Sequence, residues 1–303
     1  MNLAETIVTP DSESHFSFNP ADTFSDWDAS LHLRISKTPR GSRLTESRHQ
    51  GPLYVQKPFY PEGPELAHIY LLHPPGGMVS GDSLNTHIQL DEQAGALFTT
   101  PGAGRIYRAR PDRRIQAQTT QATLSAGSTL EWLPLETLVY PGAIGAFTTR
   151  INLNAHSRFI AWEITCMGLP ASGAHFEQGE FTQTFQVFLD DSPLLNERLN
   201  INAMDLAFLS GRAGLQNFPV SGLIAAGPFV DQQVSTTLME KLRELNTNSP
   251  EYLLACTGFN NLIVVRYLGH CAAQARAKLT ECWQILRPDA VGRSACSPRI
   301  WAC

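Results

Sequence analysis

The clearest order in this chain is an alternation of apolar and polar positions. Leu31, Leu33 and Ile35 alternate with His32, Arg34 and Ser36, and Leu84, Thr86, Ile88 and Leu90 repeat the pattern. Successive side chains of a strand point to opposite faces, so each stretch predicts a half-buried strand. Residues 69–72 are apolar throughout and predict a buried one. From residue 82 to 189 strand signal follows strand signal. Residues 114–124 are polar but β-prone, and Phe181, Phe185, Val187 and Leu189 share a face that Gln183 interrupts. GPLYVQKPFYPEG (51–63) is aromatic-rich but punctuated by prolines, which cannot donate to a ladder; it suits an edge or irregular strand. Residues 37–43 read as a basic, turn-rich link.

Three segments are loosely alike: IQLDEQAGALFTT, ATLSAGSTLEWLP and INLNAHSRFIAWE. Each reads as strand, small-residue turn, strand, and their leucines Leu90, Leu124 and Leu153 recur about every 30 residues, the range of repeat architectures. Helical spacing comes late. Val234, Leu238, Leu242 and Leu245 step by three and four within 231–246, and Leu279, Cys282, Trp283 and Leu286 do so within 271–286, closed by Pro288. Residues 252–256 and 262–267 predict short buried strands between them. The expected fold is mainly β, with stacked strand coils or layered sheets (β-helical-like) and about two α-helices toward the C-terminus. Residues 1–26 are polar and acidic without periodicity and are expected to be a flexible arm; 27–303 are expected to form a single domain.

Composition narrows the class. With 303 residues, 43% hydrophobic and 17% charged, the chain can bury a sizeable core. A net charge of −5 without a long basic block argues against nucleic acid or an anionic membrane as partner. The six cysteines form no CxxC pair, as expected of reduced thiols. The first 25 residues lack a basic start and an apolar core, and no apolar run is long enough to span a bilayer, so a cytoplasmic protein is expected.

The most shaped stretch is the loop His73, Pro74, Pro75, Gly76, Gly77 through Gly81 and Asp82. A phosphate cradle would need Gly-Lys-Ser/Thr before a helix, whereas no lysine follows here and the next stretch reads as a strand. An architectural loop is expected. The nine histidines include no HxH, HxxxH or HExxH, so no tight metal site is expected. Carboxylates are more suggestive: Asp82, Glu131, Glu136, Glu163 and Glu177. Glu131 and Glu163 each sit beside a tryptophan in the loose repeat, and if the coils stack they could face one interior; the plain alternative is surface acids paired with Arg105, Arg108 or Arg150. Hydrolase signals are thin, since GDSL (81–84) lacks the DxxH partner that esterases with this block carry. Paired carboxylates on a coil leave a polysaccharide-active β-helical hydrolase as the alternative.

Taken together, GPLYVQKPFYPEG, LLHPPGGMVSGD, TTPGAGRIYR, LEWLPLETLVYPGA, WEITCMGLPASG, VVRYLG and SPRIW resemble the urease accessory protein UreD (UreH) family, in that family's order, from Trp27 to Trp301. The resemblance implies a non-enzymatic assembly factor. It would bind UreF and, through it, the GTPase UreG, in a dimer of UreD–UreF pairs, and would help bring nickel to the urease structural subunits. It also implies a mostly β fold and an internal water-filled nickel path. Asp82, Glu131, Glu136, Glu163 and Glu177 are the candidates to line it, binding Ni²⁺ transiently, with no tightly held cofactor. Carboxylates bind nickel loosely enough to pass it on. The family commonly has Arg and then Glu after WEITCMG, where this chain has Leu169 and Ala174.

Overall fold

In the computed structural model the described residues are 27–154, 156–229, 235–246 and 249–302; the expected arm 1–26 lies outside them. The N-terminal half holds strands β1 (Asp28–Thr38), β2 (Gly41–Gln50), β3 (Tyr54–Val55), β4 (Ala67–Leu72), β5 (Ser83–Leu90), β6 (Gly95–Thr99), β7 (Gly104–Ile106), β8 (Gln116–Leu124), β9 (Thr129–Trp132), β10 (Thr137–Val139) and β11 (Ile144–Leu153). Then come β12 (Arg158–Met167), β13 (Glu180–Leu189), β14 (Ser192–Asn202), helix α1 (Leu206–Ser210), β15 (Val220–Gly227), α2 (Thr236–Glu244), β16 (Tyr252–Phe259), β17 (Leu262–Gly269) and α3 (Ala272–Val291).

The repeat is a coil. The chain alternates between two sheets, so that β4, β6, β9 and β12 stack in parallel in one while β5, β8, β11 and β13 stack in parallel in the other. β7 and β10 stack in parallel on the end of β12 and give each coil a third short wall. Met78 continues this wall by bridging Ile106, which pairs with Val139, which pairs with Met167. The repeated leucines form one ladder: Leu90 is in register with Leu124, and Leu153 with Leu189. Neither sheet closes into a barrel. The first is capped by antiparallel hairpins, β1–β2 at one edge and β13–β14 at the other. The second extends through antiparallel β15, β17 and β16.

Two cores follow. One lies between the sheets, where Leu31, Phe98, Phe147, Phe159 and Phe181 meet. The other lies between the second sheet and helices α2 and α3, where Ile160, Trp162, Ile224, Leu242, Leu279 and Trp283 meet. The second sheet is therefore covered on both faces, which is why β4, β6 and β12 read as nearly unbroken apolar runs.

The predicted strands and both late helices are present, with local differences. The link at 37–43 is a hairpin turn, and β2 follows it; its sequence GSRLTESRHQ hides it because an edge strand with an exposed outer half needs no alternation. α2 starts at Thr236, where the Ser235 side chain accepts from the Leu238 amide. α3 does not stop before Pro288 but runs through it to Val291, where Gly292 takes the left-handed conformation. Buried Ala290 and Val291, with Arg287 fixed beneath the helix, hold the last turn in place.

That fixing is a buried ionic cluster between α3 and the second sheet. The Arg287 guanidinium donates to Glu131 on β9 at 2.9 and 3.0 Å and to Glu62 at 2.7 Å. The Trp283 indole also donates to Glu131 at 2.7 Å, and His68 lies 2.7 Å from Glu62. A further Arg287 nitrogen holds the Ser294 carbonyl, and the Trp301 ring stacks on Trp162 while its indole donates to Thr99. The C-terminal segment is thereby strapped over the cluster. Arg287→Met strands two buried carboxylates and is expected to cost about 3–5 kcal/mol in denaturant unfolding, with the triple change Arg287→Met, Glu131→Gln, Glu62→Gln recovering most of it. Burial alone would raise the Glu62 carboxyl, but hydrogen bonds from His68 and Arg287 hold it at about 2. A depressed folded value stabilises above the unfolded one, so this contribution should fade as pH falls from about 4.5 toward 2; Glu62→Gln should flatten that part of the stability–pH curve.

Candidate functional site

The five candidate acids do not converge. Asp82 caps its own loop, its carboxylate accepting from the Val79 amide at 2.8 Å. Glu131 belongs to the Arg287 cluster. Glu136 is mostly covered, 3.7 Å from Arg276. Glu177 is exposed. Glu163 faces the space between the two sheets, half-buried as a residue but with its Oε2 atom shielded from solvent. Their backbones explain the separation: Ile160 is in register with Glu131, so Glu131 shares the helix-side face with Ile160 and Trp162, and Glu163, one residue on, faces the opposite side. The two acids beside tryptophans thus stand on opposite faces of one sheet and cannot flank a single glycosidic bond.

The loop 73–82 is built as a brace. Met78 exchanges backbone hydrogen bonds with Arg105 and Tyr107, and the Ser80 hydroxyl accepts from the Arg110 amide at 2.7 Å. Gly76 and Gly81 have φ of +74° and +89°, a region that favours glycine. A Cβ on Gly77 would run into the Tyr107 ring. Farther along, Leu169 and Ala174 exchange backbone hydrogen bonds of 2.7 and 3.2 Å, so main chain holds this hairpin.

Glu163 sits in a polar seam that the apolar pattern does not announce. Thr149 on β11 and Gln183 on β13 hydrogen-bond it. The Gln183 amide oxygen accepts from Thr165 at 2.8 Å, leaving its NH₂ group to donate toward Glu163. The Glu163 Oε2 atom is buried with no hydrogen-bond partner. Burial outweighs the two hydrogen bonds and raises the carboxyl to about 7.

Three cavities run in series along this seam. The first, of about 280 Å³, opens between loops 73–77 and 100–105 and reaches inward over Thr86, Thr120 and Gln118. A small one, of about 40 Å³, shares Gln118, Trp132, Pro134 and Phe147 with the first and is walled on its other side by Thr149, Glu163 and Gln183. The third, of about 240 Å³, again includes Glu163 and Gln183 and reaches Glu197 and Arg266, which pair at 2.5 Å. Glu163 is the carboxylate common to the second and third.

Among the described residues no three His, Cys, Asp or Glu side chains are grouped to hold a metal ion. Cys166, Cys256, Cys271, Cys282 and Cys296 are free, and burial pushes the Cys166 and Cys256 thiols up to about 11 and Cys282 to about 12, away from the thiolate that binds metal. Among the described residues no helix is long and apolar enough to cross a membrane.

The class these features define is a coiled, layered β scaffold with a polar interior seam between its sheets. Residues 28–302 match the UreD urease accessory protein family, and the chain belongs to it. It is 43% identical over 282 residues to a urease accessory protein UreD of Marinomonas sp. (strain MWYL1), covering 92% of this chain and 90% of the relative. It is 41% identical to the UreD of Psychromonas ingrahamii, covering 91% and 94%, and 39% identical to that of Pseudomonas aeruginosa (strain UCBPP-PA14), covering 98% and 99%.

Two outcomes are expected from the site. A raised acid opposes folding where it must ionise, so the Glu163 penalty is absent below about 4.5 and complete above about 7. Glu163→Gln should therefore leave Tm nearly unchanged at the acid end and raise it progressively through that window; a parallel offset at every pH would contradict the burial. Gly77→Ala should lower stability by about 1–3 kcal/mol in denaturant melts, the usual cost of overpacking.

Proposed function

We propose that this chain is a non-catalytic urease maturation factor that holds UreF, and through it the GTPase UreG, on apo-urease and assists delivery of nickel to the urease active site. Family membership across residues 28–302 is the observation that carries the reading. The dimer of UreD–UreF pairs and a cytoplasmic location belong to the same proposal. Nickel is cargo here, held only in passing.

The interior supports a loose route. A passing cation needs oxygen ligands that release it, and the seam offers the Glu163 carboxylate with Thr149, Thr165 and Gln183 around it. Of the five acids named as candidates, Glu163 is the one placed between cavities, so we assign it the central role in transit. Asp82 and Glu131 serve the fold through the loop cap and the Arg287 cluster.

Deleting the gene should leave urease subunits expressed at normal level but poor in nickel and inactive, with recovery on complementation. Tagged protein should co-purify UreF and urease subunits. Normal nickel loading in the deletion strain would overturn the reading.

A further inference from the structure

Two imidazoles stand side by side on the outer face of the first sheet. His32 on β1 and His87 on β5 are register partners on parallel strands, and their rings stack with centroids 4.6 Å apart and 9° between planes. They lie 55 positions apart in the chain, so no spacing motif among the nine histidines announces them. Their neighbours set the direction: Leu31, Leu33 and Ile88 are buried toward the coil, and alternation turns His32 and His87 outward. The pair therefore lies across the sheet from the Glu163 seam and lines none of the three cavities along it. Neither ring is hydrogen-bonded to another described residue.

The surroundings suit a cation. His32 and His87 line a groove of about 330 Å³ together with Arg34, Glu46, Gln89 and Gln121. The guanidiniums nearby already face acids: Arg48, in register with His32, pairs with Glu46 at 2.9 Å, and Arg34 pairs with Asp91 at 3.0 Å. On the other side Gln121 is in register with His87, so a neutral amide stands next in the row. Partial burial, and after it the facing His32, lower the proton affinity of His87, which leaves its ring neutral with a lone pair at pH 7.

We propose that His32 and His87 chelate one borderline divalent cation, of the class of Ni²⁺, Cu²⁺ and Zn²⁺, between the two strands, with water completing its coordination. Imidazole suits these ions, whereas Mg²⁺ and Ca²⁺ take oxygen ligands. Metal–nitrogen bonds of about 2.1 Å require ligating nitrogens about 3–3.4 Å apart. Adjacent strands lie about 4.8 Å apart, and swinging each ring edge by about 1 Å closes the difference. His32 is exposed and His87 half-buried, so both rings have room to swing. Two protein ligands make a site that fills and empties readily, short of a three-residue cage. The site stands on the outer face of the first sheet and does not depend on transit through the seam.

Imidazole NMR signals of the full-length protein, labelled with ¹³C-histidine, test this. On titration with ZnCl₂ at about pH 7.5, where ordinary imidazoles are neutral, the His32 and His87 signals should shift together with one midpoint. The His87 signal in His32→Gln, and the His32 signal in His87→Gln, should need about tenfold more Zn²⁺, because a single imidazole no longer gains from its neighbour. MgCl₂ at the same concentrations should move neither signal. At about pH 5.5 the shared shift should disappear, since both rings then carry protons. Separate midpoints for the two signals in the wild type overturn the proposal. So does an unchanged His87 midpoint in His32→Gln, or a response to Mg²⁺ equal to that with Zn²⁺.

Discussion

One buried guanidinium holds the layers together. Arg287 leaves α3 and meets Glu131 on the second sheet and Glu62 on the segment before β4, with a third contact to the segment beyond the helix. All three charges are removed from water, and each is costly unless the others are present. With them paired, the helix layer has one seating on the sheet, its last turn passes Pro288, and Trp301 closes over Trp162 and Thr99. Generic apolar packing would allow α3 to slide; a three-way ionic contact fixes its register.

Fixing the helices on one side of the second sheet leaves the other side to the coil. There the strands from both sheets supply mostly Leu, Ile and Phe, yet the seam of Thr149, Glu163, Thr165 and Gln183 is polar and flanked by open space. A carboxyl that burial raises to about 7 in such a place is a poor stabiliser. The same side chain types on the outer face of a sheet would be unremarkable; between two sheets they are expensive.

Much of this was legible in the sequence. Period-two stretches gave β1, β5 and β13, the recurring leucines marked the coil, and three- and four-residue steps marked α2 and α3. The edge strands β2 and β14 were missed because charged and polar side chains along their wet faces break up the apolar pattern. The grouping of Glu131 with Glu163 was set aside by a detail present in the letters: the first reads Glu-Trp and the second Trp-Glu. Reversing the order within a strand exchanges the faces, so one acid turns to the helices and the other to the coil. Gln183 read only as an interruption of an apolar face; its parity with Phe181 and Phe185 was the available signal that a polar partner lay inside. The partner of Glu131, 156 residues away at Arg287, has no local signal at all.

The most direct test of a route through the seam is the nickel content of urease matured with the Glu163→Gln protein, read beside its melting temperature and beside the exposed control Glu177→Gln. The expected result is urease short of nickel with Glu163→Gln, from a protein that melts no lower than wild type and still binds UreF, and full loading with Glu177→Gln. Full nickel loading with Glu163→Gln would contradict it.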